Sequence, residues 1–133
     1  MPLGDLSAVL GGKRILVVED EPFIALELEE MIADLGGTLA GSFAQVGEAL
    51  ALIQTGGVDA AILDVNLGNQ RVDPVADALA ARNCPFVFTT GYGRVGVPGA
   101  YSDRAVVEKP FTYDDVAAAL IGEIARFGQA GSP

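Results

Sequence analysis

Two patterns alternate along the chain: short apolar or β-branched runs, and longer stretches in which apolar residues recur at spacings of three and four. The strand-like runs are RILVV (14 to 18), TLAGSF (38 to 43), AAIL (60 to 63), FVFTT (86 to 90) and AVV (105 to 107). Most are apolar on both faces, as a parallel sheet covered by helices requires. The spacing between them predicts helices. The first begins at Pro22, whose missing N–H costs nothing at a helix start, and stops at Gly36-Gly37, with Ile24, Leu28, Ile32 and Leu35 facing inward. The second runs near Val46 to Gln54 and buries Leu50 and Ile53; the third starts at Pro74, capped by Asp73, and buries Val75 and Leu79. The last runs from Thr112 or Tyr113 to about Phe127, with Val116, Leu120, Ile124 and Phe127 on one stripe.

One segment breaks the rhythm. GYGRVGVPGAYSDR (91 to 104) carries four glycines and Pro98 where a fourth crossover helix belongs. Each interior glycine costs about 1 kcal/mol relative to alanine and a proline about 3, so a short helix or a loop is expected there. Right-handed crossovers make all five strands parallel. The fold class is therefore α/β: a three-layer sandwich around a five-stranded sheet of order 2-1-3-4-5, flavodoxin-like, with a shortened or irregular fourth helix. Residues 13 to 127 form one domain, between a loosely held start (1 to 12) and a loosely held tail (128 to 133).

Charge and composition narrow the function. Eighteen acids against eight bases give a net charge of −10, which repels a phosphate backbone and argues against nucleic-acid partners. The longest charge-free stretches, such as LGGTLAGSFAQVG (35 to 47), are too short and glycine-broken for a membrane span, and the start lacks the features of an export signal, so the expected location is cytoplasmic. With no histidine and one cysteine, the chain has no zinc-finger set, no Ser/His/Asp triad and no phosphohistidine. Cys84 reads as a small buried apolar residue.

In a parallel sheet the C-terminal strand ends share one edge, where ligands bind. The residues there are Glu19, Asp20 and Glu21 after the first strand, Asp64 after the third, Thr89 and Thr90 closing the fourth, and Lys109 after the fifth. Carboxylates about 5 Å apart repel by roughly 3 kcal/mol at an effective dielectric near 20, so Glu19, Asp20 and Asp64 need a compensating cation. Lys109 supplies one charge. Oxygen-only donors suit a hard divalent ion, Mg²⁺ or Mn²⁺, as a cofactor. The first βα turn, VVEDEP, is no glycine-rich phosphate loop, which argues against nucleotide binding. Asp64 closes a wholly apolar central strand and is the best placed nucleophile toward a phosphoryl donor, with Lys109 neutralising the transferring oxygens and Thr90 able to donate a hydrogen bond to one of them.

Taken together, ILVVEDEP, ILDVNL, TTG and EKPF resemble the receiver (CheY-like) domain of two-component response regulators, over about residues 13 to 127. The resemblance implies that Asp64 accepts phosphate from a sensor histidine kinase or a histidine phosphotransfer protein, and that Glu19, Asp20, Asp64 and the backbone carbonyl of Asn66 hold the metal. It also implies a cis Lys109-Pro110 bond, slow self-dephosphorylation at most rather than enzymatic turnover, and output through a downstream protein partner. One position departs from the family: the usual strand-five aromatic, three residues before the lysine, is Val106. The stretch PFVFTTGYG resembles a subgroup of stand-alone receivers with a PFxFATGY-type motif, Thr89 replacing its alanine, which also lacks that aromatic. The resemblance then assigns the switch to Thr89, Thr90, Gly91, Tyr92 and the glycine-rich segment. The alternatives are a phosphate sink and a small Mg²⁺-dependent aspartyl-phosphate phosphohydrolase.

Overall fold

The computed structural model describes residues 8 to 91 and 93 to 128. Strands β1 (Arg14–Val18), β2 (Thr38–Phe43), β3 (Ala60–Asp64), β6 (Phe86–Thr90) and β7 (Val106–Glu108) form one parallel sheet in the order β2-β1-β3-β6-β7. This is the expected 2-1-3-4-5 order. Two further strands, β4 (Asn66–Leu67) and β5 (Gln70–Arg71), pair antiparallel in a small hairpin directly after β3. Helices α1 (Pro22–Asp34), α2 (Val46–Gln54), α3 (Asp73–Ala81) and α4 (Tyr113–Glu123) complete the three layers.

Side-chain alternation divides the core in two. Ile15, Val17, Ile62, Val87 and Val107 point to the layer of α1 and α4, where they meet Leu28, Ile32, Val116 and Leu120. Leu16, Val18, Leu63, Phe86 and Phe88 point the other way, against Ile53 of α2 and Val75 and Leu79 of α3. Helix α1 starts on Pro22 and ends with Gly36 at φ +81°, the Gly37 N–H reaching back to Ile32 O at 2.9 Å, which satisfies a carbonyl the helix leaves over. Helix α4 opens on a capping box between Thr112 and Asp115.

Several expectations shift. Strand β7 covers Val106–Glu108 and not 105 to 107. Asp73 is not a cap: it is the first residue of α3, Val72 takes the cap position, and the Asp73 carboxylate pairs with Arg71 at 3.2 Å. Of the start read as loosely held, residues 8 to 12 form turns in which Leu10 is buried and donates its N–H to Leu35 O at 2.8 Å. Of the tail, Gly128 closes a π turn (Ile124–Gly128); the remainder lies outside the described residues.

Among its described residues, the irregular crossover keeps only a 3₁₀ turn (Gly99–Tyr101) as helix. It is tied down at its far end. Tyr101 Oη donates to Asp77 Oδ1 of α3 at 2.6 Å, and Arg94 donates to the carbonyls of Ser102 and Arg104 at 2.9 and 3.2 Å. Arg104 is buried, with its guanidinium 4.2 Å from the Phe86 ring centre, 3.7 Å from that of Phe127, and 3.7 Å from Glu123 Oε1. The backbone bonds Phe88 N to Ala105 O (3.0 Å) and Lys109 N to Thr90 O (2.8 Å) hold β7 in register beside β6 on the far side of this excursion.

Among the described residues, no helix is long and apolar enough to cross a membrane. Cys84 is buried beneath α2 and α3, with Sγ 3.6 Å from Val58 O. Burial, and then the Asp59 charge, push its thiol up to about 11. Only the thiolate alkylates, so iodoacetamide labelling at pH 8 should run about 100-fold slower in the folded chain than in urea. Equal rates in the two states, followed by mass spectrometry, would contradict this placement.

Candidate functional site

The ends of β1, β3 and β7 bring four predicted residues together. Glu19, Asp20 and Asp64 offer carboxylate oxygens that all lie within 4.8 Å of one another. Lys109 Nζ stands 3.0 Å from Glu19 Oε1 and 3.3 Å from Asp64 Oδ2, and 3.8 Å from Glu21 Oε2 at the rim. Glu19 and Asp64 are buried, each 3% exposed, while Asp20 faces solvent. The Lys109-Pro110 peptide is cis, as expected.

Backbone groups aim the carboxylates. The Asn66 N–H donates to Asp64 Oδ1 at 3.0 Å, and the Glu21 N–H to Glu19 Oε2 at 3.1 Å. Asp64 thus has one oxygen held by a backbone donor and the other by an ammonium. Burial and the shared hydrogen bond with Asp64 push the Glu19 carboxyl up to about 7, against the opposing pull of the Glu21 N–H and Lys109. Burial works against the charge on Lys109, but Glu19 and Asp64 outweigh it and hold the ammonium above its ordinary pKa. These shifts describe a site with more negative charge than one lysine offsets. Oxygen donors without nitrogen or sulfur, facing a shared opening, fit a hard divalent cation.

That opening, a cleft of about 430 Å³, is lined by Asp20, Glu21, Asp64, Asn66, Gly68, Gly91 and Lys109. Asn66 and Gly91 therefore border the acids. Thr90 is buried at the end of β6, its carbonyl accepting the Lys109 N–H. Thr89 is buried as well; its carbonyl accepts the Val65 N–H at 3.1 Å, and its hydroxyl has no hydrogen-bond partner among the described residues. Val106 is half-buried, pairs in register with Phe88, and packs with the core layer of α2 and α3, away from the acids. Tyr92 lies outside the described residues. Sequence reasoning missed Gly68, which turns at φ +67° so near Asp20 that a Cβ there would lie 3.6 Å from Oδ2. Its only sequence signal is the Gly68-Asn69 pair, a common turn dipeptide.

No family model matches the chain. Among solved structures, SdrG from Sphingomonas melonis Fr1 is 52% identical, with a TM-score of 0.74, over 80% of this chain and 92% of that one. The PhyR response regulator REC domain of Erythrobacter litoralis is 26% identical, with a TM-score of 0.76, over 92% of this chain and 95% of that one. Among curated proteins, the phyllosphere-induced regulator PhyR of Methylorubrum extorquens is 32% identical over 111 residues, which are 80% of this chain and 42% of that protein. The chain spans about half the length of the curated relatives it matches.

Proposed function

The chain belongs to the response regulator receiver family, and from that premise we propose that it works as a single-domain response regulator of a two-component phosphorelay. The observation that carries the reading is the placement of Asp64: it closes the central strand within ion-pair reach of Lys109 and within 4.8 Å of two further acids. One Asp64 carboxylate oxygen attacks the phosphorus of a phosphohistidine on a sensor histidine kinase or a histidine phosphotransfer protein. The P–O bond forms as the P–N bond breaks, and the imidazole leaves with the electron pair. Lys109 neutralises charge on the transferred oxygens, and the Thr90 hydroxyl donates to one of them. Glu19, Asp20, Asp64 and the Asn66 carbonyl would hold Mg²⁺ or Mn²⁺, which would supply the remaining positive charge.

The output passes to a protein partner. A groove between β7 and α4 has Val106, Ala118 and Ala119 on its apolar side and Glu108, Asp114 and Asp115 as its acidic members. It suits a partner segment that carries bases, whereas the net charge of −10 opposes nucleic acid. The switch runs through Thr89, Thr90, Gly91 and Tyr92 without a strand-five aromatic, as in receivers with a PFxFATGY-type motif. The domain turns over no metabolite; only slow loss of its own phosphoryl group follows, in the cytoplasm where the kinases act.

Incubation with acetyl phosphate and Mg²⁺, read by intact mass, tests the reading. One phosphoryl adduct, labile to hydroxylamine, is expected. Turnover of a metabolite phosphate with no adduct would favour a phosphohydrolase, and an adduct that alters no partner's binding would favour a phosphate sink. The role of Lys109 is separable from acceptance. Lys109→Ala is expected to blunt the phosphate-dependent NMR chemical-shift changes by more than half, and Val106→Ala to leave them near wild type. Equal losses in the two variants would restore a strand-five switch.

A further inference from the structure

We propose that Gln70 positions the acid site from outside it, by tying the β4–β5 hairpin to the first residue of α2. The proposal rests on the reading of Glu19, Asp20 and Asp64 as a divalent-cation site. The hairpin leaves directly from Asp64 and forms one wall of the cleft through Asn66 and Gly68. Its backbone meets the site: Asn66 N–H holds Asp64 Oδ1 at 3.0 Å, and Gly68 turns where a Cβ would lie 3.6 Å from Asp20 Oδ2. Where this backbone sits therefore bears on where Asp64 points and on the room beside Asp20.

Two-residue strands do not hold themselves rigid. Leu67, which pairs with Gln70, and Val72 after the second strand hold the hairpin to the core. The outer strand, Gln70–Arg71, is exposed, and two side chains tie it to helices: Arg71 pairs with Asp73 of α3 at 3.2 Å, and Gln70 Oε1 accepts the Val46 N–H at 3.1 Å. Val46 opens α2, and Gln45 before it makes no side-chain cap. Gln70 therefore supplies from another element the acceptor that the local sequence lacks. Helix α2 is itself fixed by buried Ala49 and Ile53. The Gln70 bond is what couples the cleft wall to α2.

Titration with Mn²⁺ alone, by calorimetry on the full chain, tests this in Gln70→Ala, Val46→Pro, their double variant and Val46→Ala. Val46→Pro deletes the same bond from the donor side at a helix position that favours proline, after a residue already extended (φ −129°, ψ 147°). Each of the two single variants is expected to bind Mn²⁺ about three- to tenfold more weakly, below the range for groups that bond a ligand directly. The double variant should bind no more weakly than either, and Val46→Ala, which keeps the N–H, should bind as wild type. Unchanged affinity in both single variants, or losses that add in the double, overturns the tie. A fall in melting temperature in chelator without a fall in Mn²⁺ affinity also overturns it, because Gln70 is then a helix cap and nothing more. Absence of Mn²⁺ binding by the wild-type chain overturns the site reading, and the proposal with it.

Discussion

In Asp64→Ala the phosphoryl adduct is expected to vanish, although two other carboxylates stand within 4.8 Å. Glu19 is a poor substitute: it is buried, one carboxylate oxygen accepts the Glu21 N–H at 3.1 Å and the other lies 3.0 Å from Lys109 Nζ, and it does not line the cleft. Asp20 faces solvent, but the backbone donor of Asn66 and the ammonium of Lys109 meet on Asp64. An acceptor needs both access to the cleft and a fixed attack direction, and of the three acids Asp64 combines them. The measurement is intact mass after acetyl phosphate and Mg²⁺, with circular dichroism to confirm folding. An adduct that persists in the variant would move the acceptor to another residue and remove the central claim.

Arg104→Ala is expected to cost the fold about 3 kcal/mol, the cost of breaking a buried pair from one side. The guanidinium lies between the rings of Phe86 and Phe127, and its pair with Glu123 is screened from water on both sides, with side chains 9% and 3% exposed. Removal leaves Glu123 buried with Arg126 as its other cation, 3.0 Å away. That bond keeps the loss from rising further. Arg126, 46% exposed, is the control: Arg126→Ala should cost under about 1 kcal/mol. For a chain of this size the first change lowers the melting temperature by about 10 °C and the second by a few degrees at most. If Arg126→Ala proves the more damaging, the stack is not what holds the end of α4.

The contrast between these residues explains what the sequence could and could not disclose. Strands β1, β3 and β6 announced themselves because consecutive apolar residues leave a parallel strand no other use. Asp64 and Lys109 could be placed on one edge before any coordinates, because parallel strands end on the same side. Arg104 gave no such sign. A charged residue in a glycine-rich stretch reads as solvated, and its burial depends on Phe127 returning from the π turn that follows α4. The β4–β5 hairpin was illegible for a different reason: two residues per strand are too few for alternation to register. Asp73 was misplaced by one position, a small error that exchanged a cap for an ion pair with Arg71. Gln70 could not have been found by motif at all, since its partner Val46 lies in an earlier helix.

The register bonds that close β6 onto β7 divide what is free to vary from what is not. The stretch from residue 91 to 104 departs from and returns to adjacent strands whose alignment is set outside it, by Thr90 with Lys109 and Phe88 with Ala105. Doubling the length of such a loop costs only about 0.6 kcal/mol in closure entropy. Descendants of this chain can therefore lengthen or shorten the excursion between Gly91, which lines the cleft, and the anchors Tyr101 and Arg104 while the lysine keeps its distance from the aspartate. Choice of listener can diversify by insertion and deletion there, and the chemistry of acceptance passes unchanged from one lineage to the next.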